Sequence, residues 1–161
     1  MHVVIRPATQ EDLGVLWDFL PIAAYETDAA AAKAVPFVAA HLEGWRRSHD
    51  FGFIAQADGV PVGAVWARQF SIEEEPAFYV DDNTPEITIA VQPRIQGRGI
   101  GALLLNSIIE EATRRRVGLC LNVRHDNTAQ RLYQRFGFRL VSGSGVRNRV
   151  GGISFGMLWN G

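Results

Sequence analysis

The chain has 161 residues, 47% of them hydrophobic and 20% charged, with a formal net charge of −1, so one globular domain spanning 1–161 with a full core is expected. That charge gives no long-range pull towards nucleic acid or an anionic membrane. No apolar run reaches the roughly 18 residues of a membrane span, and the start MHVVIRPA has no signal-peptide pattern, so a cytoplasmic location is the default expectation. Cys120 stands alone, without a disulfide or metal-cluster partner, and His2, His41, His49 and His125 are scattered, so no metal is expected.

Val3 to Arg6 reads as a short first strand, and Thr9 with Asp12 three residues on resembles a capping box that opens a helix. The alanine-rich stretch from Asp28 to Ala34 predicts a second helix, resuming after Pro36 towards Trp45. Phe51 to Ala57 and Val60 to Phe70 predict two strands joined at Asp58-Gly59, a strong hairpin signal. An acidic loop with two prolines, Ser71 to Pro85, leads to a strand from Glu86 to Val91. Ala102 to Arg116 predicts a helix with Leu104, Leu105, Ile108, Ile109 and Ala112 inward and three arginines at the negative end of its dipole. Then follow a strand from Leu119 to Val123, a helix from Thr128 to Phe136 stopped by Gly137, a strand from Phe138 to Val141, a loop from Ser142 to Gly152, and a last strand from Ile153 to Trp159. No repeat or linker interrupts this order, which predicts an α/β (α+β) domain with a mixed, mostly antiparallel sheet and helices on both faces.

Between the strand EITIAV and the apolar helix, Gln96 to Gly101 read QGRGIG. Glycines let several N–H groups face one anion and the following helix adds its positive end, so the run predicts a phosphate cradle. A P-loop would need Gly-Lys-Ser or Gly-Lys-Thr, and here Gly99 is followed by Ile100, Gly101 and Ala102. Gly97, Gly99 and Ala102 satisfy the small positions of a dinucleotide fingerprint. However, Gln92 to Gln96 separate strand from glycine, and Leu121 and Asn122 stand where an acidic side chain should meet a ribose. An acyl-coenzyme A loop is the third scheme.

VQPRIQGRGIGALLL, Val91 to Leu105, resembles the central motif of the GNAT superfamily of N-acetyltransferases, with Gln96, Gly99 and Gly101 at its defining positions. NVRHDNTAQRLYQRFGF, Asn122 to Phe138, resembles the family's next strand, helix and Gly-Phe turn, and VVIRPATQEDL its first strand and helix. The likeness covers nearly the whole chain and is specific over residues 86 to 138. It implies a sheet of six to seven strands and acetyl-CoA as co-substrate. The main chain of Gln96, Gly97, Arg98, Gly99, Ile100, Gly101 and Ala102 would hold the diphosphate, and backbone groups of Ile89 and Val91 and the side chain of Asn127 would hold the pantetheine arm. It further implies that Tyr133, in Leu132-Tyr133, faces the leaving thiolate.

Acetyl transfer to an amine needs a neutral nitrogen. An amine with pKa near 10.4 is neutral about once in 2,500 molecules at pH 7, a cost of about 4.6 kcal/mol, so a general base is useful. Glu86 is the candidate, directly or through water, with a solvated strand start as the other reading. It lies about 17 Å along the strand from Val91, a span only a ligand with a long arm covers. A phenol is intrinsically a weaker acid than a thiol, so Tyr133 is expected to donate a strengthening hydrogen bond to sulfur, not a full proton. Asn127 with Gln130 also resembles a helix-capping pair. Asn122 could face the ligand or serve structure, and Cys120 is expected in the core, which excludes an acyl-cysteine route. Arg94 and Arg98 suit phosphate charge, while Arg131 and Arg135 suit either the nucleotide or solvent.

The expected acceptor is a primary amine of a small molecule or a peptide, met by some of Trp17, Phe19, Tyr25, Phe37, Trp45, Phe78 and Tyr79, with Glu73 to Glu75 either attracting a cation or simply solvated. A non-catalytic acyl-CoA-binding module is the alternative and a dinucleotide enzyme the distant third. Pairing into a homodimer stays open, since many family members pair.

Overall fold

The computed structural model describes residues 1–161. The chain forms two compact units, Met1–Arg68 with Thr88–Ile108, and Gln69–Ile87 with Ile109–Gly161.

In the first unit, strands β1 (Val3–Pro7), β2 (Phe51–Ala57) and β3 (Val60–Arg68) form an antiparallel meander. Asp58 and Gly59 take φ of 52° and 81°, the double left-handed turn that the twist of a two-residue hairpin requires. Thr9 and Asp12 close a reciprocal capping box, with Thr9 N–H donating to Asp12 Oδ2 at 2.7 Å. The capped turn is a short 3-10 segment, and α1 (Leu13–Ala24) begins after it. Helices α2 (Ala29–Lys33) and α3 (Pro36–Ala39) follow. The predicted continuation to Trp45 stops at Ala39 because side chains from β3 capture the carbonyls beyond it. Trp66 Nε1 donates to His41 O at 2.9 Å, and Arg68 Nη1 donates to Ala40 O at 2.9 Å and Glu43 O at 2.5 Å. Leu16, Phe19, Leu20, Leu42, Trp45, Ile54 and Trp66 form the core.

Strand β4 (Glu86–Val91) and helix α4 (Ile100–Arg115) each contribute to both units. The helix begins two residues before the expected Ala102, so Ile100 and Gly101 belong to its first turn. Gly63 on β3 lets α4 approach: a Cβ there would lie 3.1 Å from both Leu104 Cδ1 and Ala90 O.

In the second unit, β8 (Ile153–Trp159) runs antiparallel to β5 (Leu119–Arg124) along six register pairs, Leu119↔Trp159 to Arg124↔Ser154. Its other edge takes β6 (Arg139–Leu140) and β7 (Val146–Arg147), and α5 (Gln130–Arg135) precedes β6. The strand order is β1-β2-β3-β4-β5-β8-β6, with β7 also on β8. This is a mixed, mostly antiparallel sheet of eight strands. The one beyond the expected six to seven is β7, two residues inside the predicted loop from Ser142 to Gly152. No helix is long and apolar enough to cross a membrane.

Candidate active site

Gln92 N–H donates to Val62 O at 2.9 Å, which points the main chain of Gln92 and, two residues back, Ala90 at β3. By the alternation of a strand, Ile89 and Val91 then turn their N–H and C=O groups to the opposite edge. Gln96 Nε2 donates to Val91 O at 3.1 Å and ties the loop back to that edge. Gly97 and Gly99 adopt φ of 80° and 82°, and a Cβ at either would meet nothing within 4 Å, so their requirement is conformational, not steric. Ile100, 2% exposed, anchors the end of the loop in the core. The first main-chain bond of α4 is Leu103 N–H to Gly99 O at 3.2 Å, while the N–H groups from Gly97 to Ala102 have no main-chain acceptor. Six consecutive donors at a helix start are the arrangement that holds an anion. Arg94 and Arg98 are exposed beside them.

In the second unit Glu86 is 7% exposed, which removes the reading of a solvated strand start. It pairs in parallel register with Cys120. Cys120 is buried, its Sγ donates to Thr84 O at 3.6 Å, and burial, followed by the charges of Glu86 and Asp81, pushes its thiol pKa well up. It is therefore a core residue and no nucleophile at neutral pH. The registers put Glu86, Cys120 and Asn122 on one face with Gly156 of β8, opposite Asn122. Asn122 Oδ1 on that face is buried and has no hydrogen-bond partner.

Tyr133 is buried, with its ring tilted 60° against Phe138 at 6.1 Å. Asn127 Oδ1 accepts Ala129 N–H at 2.8 Å, leaving its Nδ2 as a donor. The expected reciprocal pair with Gln130 does not form, because Gln130 Nε2 donates to Arg124 O at 3.1 Å and His125 O at 3.0 Å. Gln130 instead braces the turn between β5 and α5. Arg131 and Arg135 are exposed, and His125 Nδ1 lies 3.1 Å from Ile153 O.

Of the aromatics considered for the acceptor, Phe19 and Trp45 are core, and Trp17 lies under the Lys33 ammonium at 4.9 Å. Tyr25 and Phe37 are exposed. The Tyr79 hydroxyl bonds to Asp82, which raises its pKa to about 12. Phe78 seats its ring on Gly156, where a Cβ would fall 2.3 Å from Cδ1. Glu73 to Glu75 are exposed, and Glu74 caps its own turn through Ser71 N–H at 2.8 Å. Sequence reasoning missed both the Phe78 seat on Gly156 and the buried Asp50–Arg68 pair. An arginine ending the apolar run VPVGAVWAR was the one available signal for the pair.

The profile of the acetyltransferase (GNAT) family matches residues 16–138. No curated protein sequence matches. Among solved structures, the chain is similar to a ribosomal-protein-alanine N-acetyltransferase from Brucella melitensis, at 26% identity over 96% of this chain and 98% of that one, TM-score 0.72. It has the fold of yncA from Salmonella typhimurium, a structure with its cofactor acetyl-CoA, at 20% identity over 99% and 94%, TM-score 0.74. It also has that of an N-acetyltransferase from Staphylococcus aureus Mu50, at 23% identity over 98% and 97%, TM-score 0.70.

Proposed function

Because the chain belongs to the acetyltransferase (GNAT) family, we propose that it transfers the acetyl group of acetyl-CoA directly to a primary amine of a small molecule or a peptide, the whole of 1–161 serving as one catalytic domain. The observation that carries this reading is the run of N–H groups from Gly97 to Ala102 without main-chain acceptors. A diphosphate fits it: the donors are consecutive, the helix adds its positive end, and Arg94 and Arg98 supply charge. The acetyl-CoA of the yncA structure supports the same ligand.

Bound acetyl-CoA supplies an acetyl thioester. In this reading Ile89 and Val91 offer main-chain groups to the pantetheine arm, and Asn127 offers its Nδ2. Glu86 takes a proton from the amine, directly or through one water. The nitrogen lone pair forms the C–N bond as the C–S bond breaks and the electron pair goes to sulfur. The Tyr133 hydroxyl donates a hydrogen bond to that sulfur, which strengthens as charge gathers there. The proton lost by the amine is finally matched by one gained by the thiolate, so no further reactant is needed. The buried, unreactive Cys120 supports direct transfer over an acyl-cysteine route.

Free thiol released from acetyl-CoA in the presence of a panel of amines tests the proposal. Amine-dependent release is the expected result. Tight acetyl-CoA binding without turnover across the panel would instead make the chain a non-catalytic acyl-CoA-binding module.

A further inference from the structure

Resting on the amine-transfer reading, we propose that Asn122 receives one N–H of the acceptor amine through Oδ1 and so selects primary over secondary amines. The carbonyl of Asn122 is buried and unpartnered within the second unit. A buried acceptor with no donor destabilises a fold, and its persistence calls for a donor that arrives with a ligand. The registers Glu86↔Cys120 and Asn122↔Gly156 place Asn122 on the same face as Glu86, one diagonal step away on the neighbouring strand. Across the strand from Asn122, the half-buried Phe78 ring sits on Gly156 in place of a side chain.

The chemistry then counts hydrogens. A neutral primary amine has two N–H bonds and one lone pair. With one N–H given to Asn122 Oδ1 and the other directed at Glu86 or its water, the lone pair is left for the thioester carbon. After C–N bond formation the proton directed at Glu86 leaves, and the one on Asn122 stays as the amide N–H of the product. A secondary amine has a single N–H and cannot meet both groups: an N–H kept for Glu86 leaves Asn122 Oδ1 without a donor, and one given to Asn122 leaves the nitrogen no proton to release.

The test compares kcat/KM for the best primary amine of the panel and for its N-methyl derivative, in the wild-type protein and in Asn122→Leu and Asn122→Ala. The expected result is a wild-type preference for the primary amine that falls by about 10–100-fold in both variants, with the KM for acetyl-CoA unchanged. Asn122→Leu should also raise Tm by about 2–4 °C, because it removes an unpaired carbonyl, whereas loss of a satisfied structural asparagine would lower it. An unchanged primary-to-secondary ratio in the variants, or a lower Tm in Asn122→Leu, overturns the assignment of Asn122 and leaves the amine-transfer reading intact. No turnover by the wild type with any amine overturns both.

Discussion

Two side chains and one backbone conformation set how well the proposed chemistry can run. Tyr133 is buried against Phe138, so Tyr133→Phe keeps the packing and removes only the hydroxyl. The expected effect is a fall in kcat of about 100-fold with the dissociation constant for acetyl-CoA changed little, read by steady-state kinetics beside calorimetric titration. A wild-type rate would return Tyr133 to a purely structural role. Gly99 is exposed, and a Cβ there clashes with nothing, so Gly99→Val acts through its φ of 82°, a region costing a β-branched residue about 1–2 kcal/mol. Since that conformation aims the N–H groups around it, titration should show acetyl-CoA affinity lowered at least 10-fold while the circular dichroism of the fold is retained. Glu86 keeps its candidate role as base on the strength of burial and its place beside Cys120 and Asn122.

Elements are held by a few charged contacts whose loss can be measured. Arg6 bonds both oxygens of Asp12 at 2.8 Å, and with the Thr9 cap this holds the Asp12 carboxyl down at a pKa of about 2. Because the folded pKa lies below the unfolded value near 3.9, the carboxylate stabilises the fold fully above about pH 4, and that contribution is lost as pH falls through about 2. Its size is on the order of 1–2 kcal/mol, reduced by the partial exposure of Arg6. Urea midpoints across pH 2 to 5 should show the decline, and Asp12→Ala should flatten it. The Asp50–Arg68 pair, 2.7 Å apart with both side chains buried, ties β3 to the turns after α3. Asp50→Ala leaves a buried guanidinium without its carboxylate and should cost about 3–5 kcal/mol in chemical denaturation. A change under 1 kcal/mol would show that water reaches Arg68. This pair also shows why α3 is short: a helix forecast from local preference continues to Trp45, yet distant donors on β3 claim the carbonyls it would need.

At the level of the whole molecule, ligand linkage gives the broadest check. A ligand that binds only the folded chain at 100 times its dissociation constant adds about 2.7 kcal/mol, or about 5–11 °C in Tm for a chain of this size. Acetyl-CoA should produce that shift and NAD should produce none; the reverse would restore the dinucleotide reading. The hairpin at Asp58-Gly59, the strand Glu86–Val91 and the glycine loop are legible in the sequence because each depends on local backbone rules: positive φ, alternation and a helix start. The family follows from the same short-range patterns, Gln96 to Gly101 and Asn122 to Phe138, and is shown by the profile match over 16–138. The shortening of α3, the β7 strand, the redirected Gln130 and the burial of Glu86 are not local. Each depends on which chain segment lies alongside, and residue order alone does not state that. The strand–loop–helix that suits a diphosphate is written in residues 86 to 102, since turns and caps are set by neighbours in the chain. That Asn122 Oδ1 is buried without a donor, with its residue on one face with Glu86 and opposite the glycine that seats Phe78, emerges on folding, because strand register is a contact between distant residues.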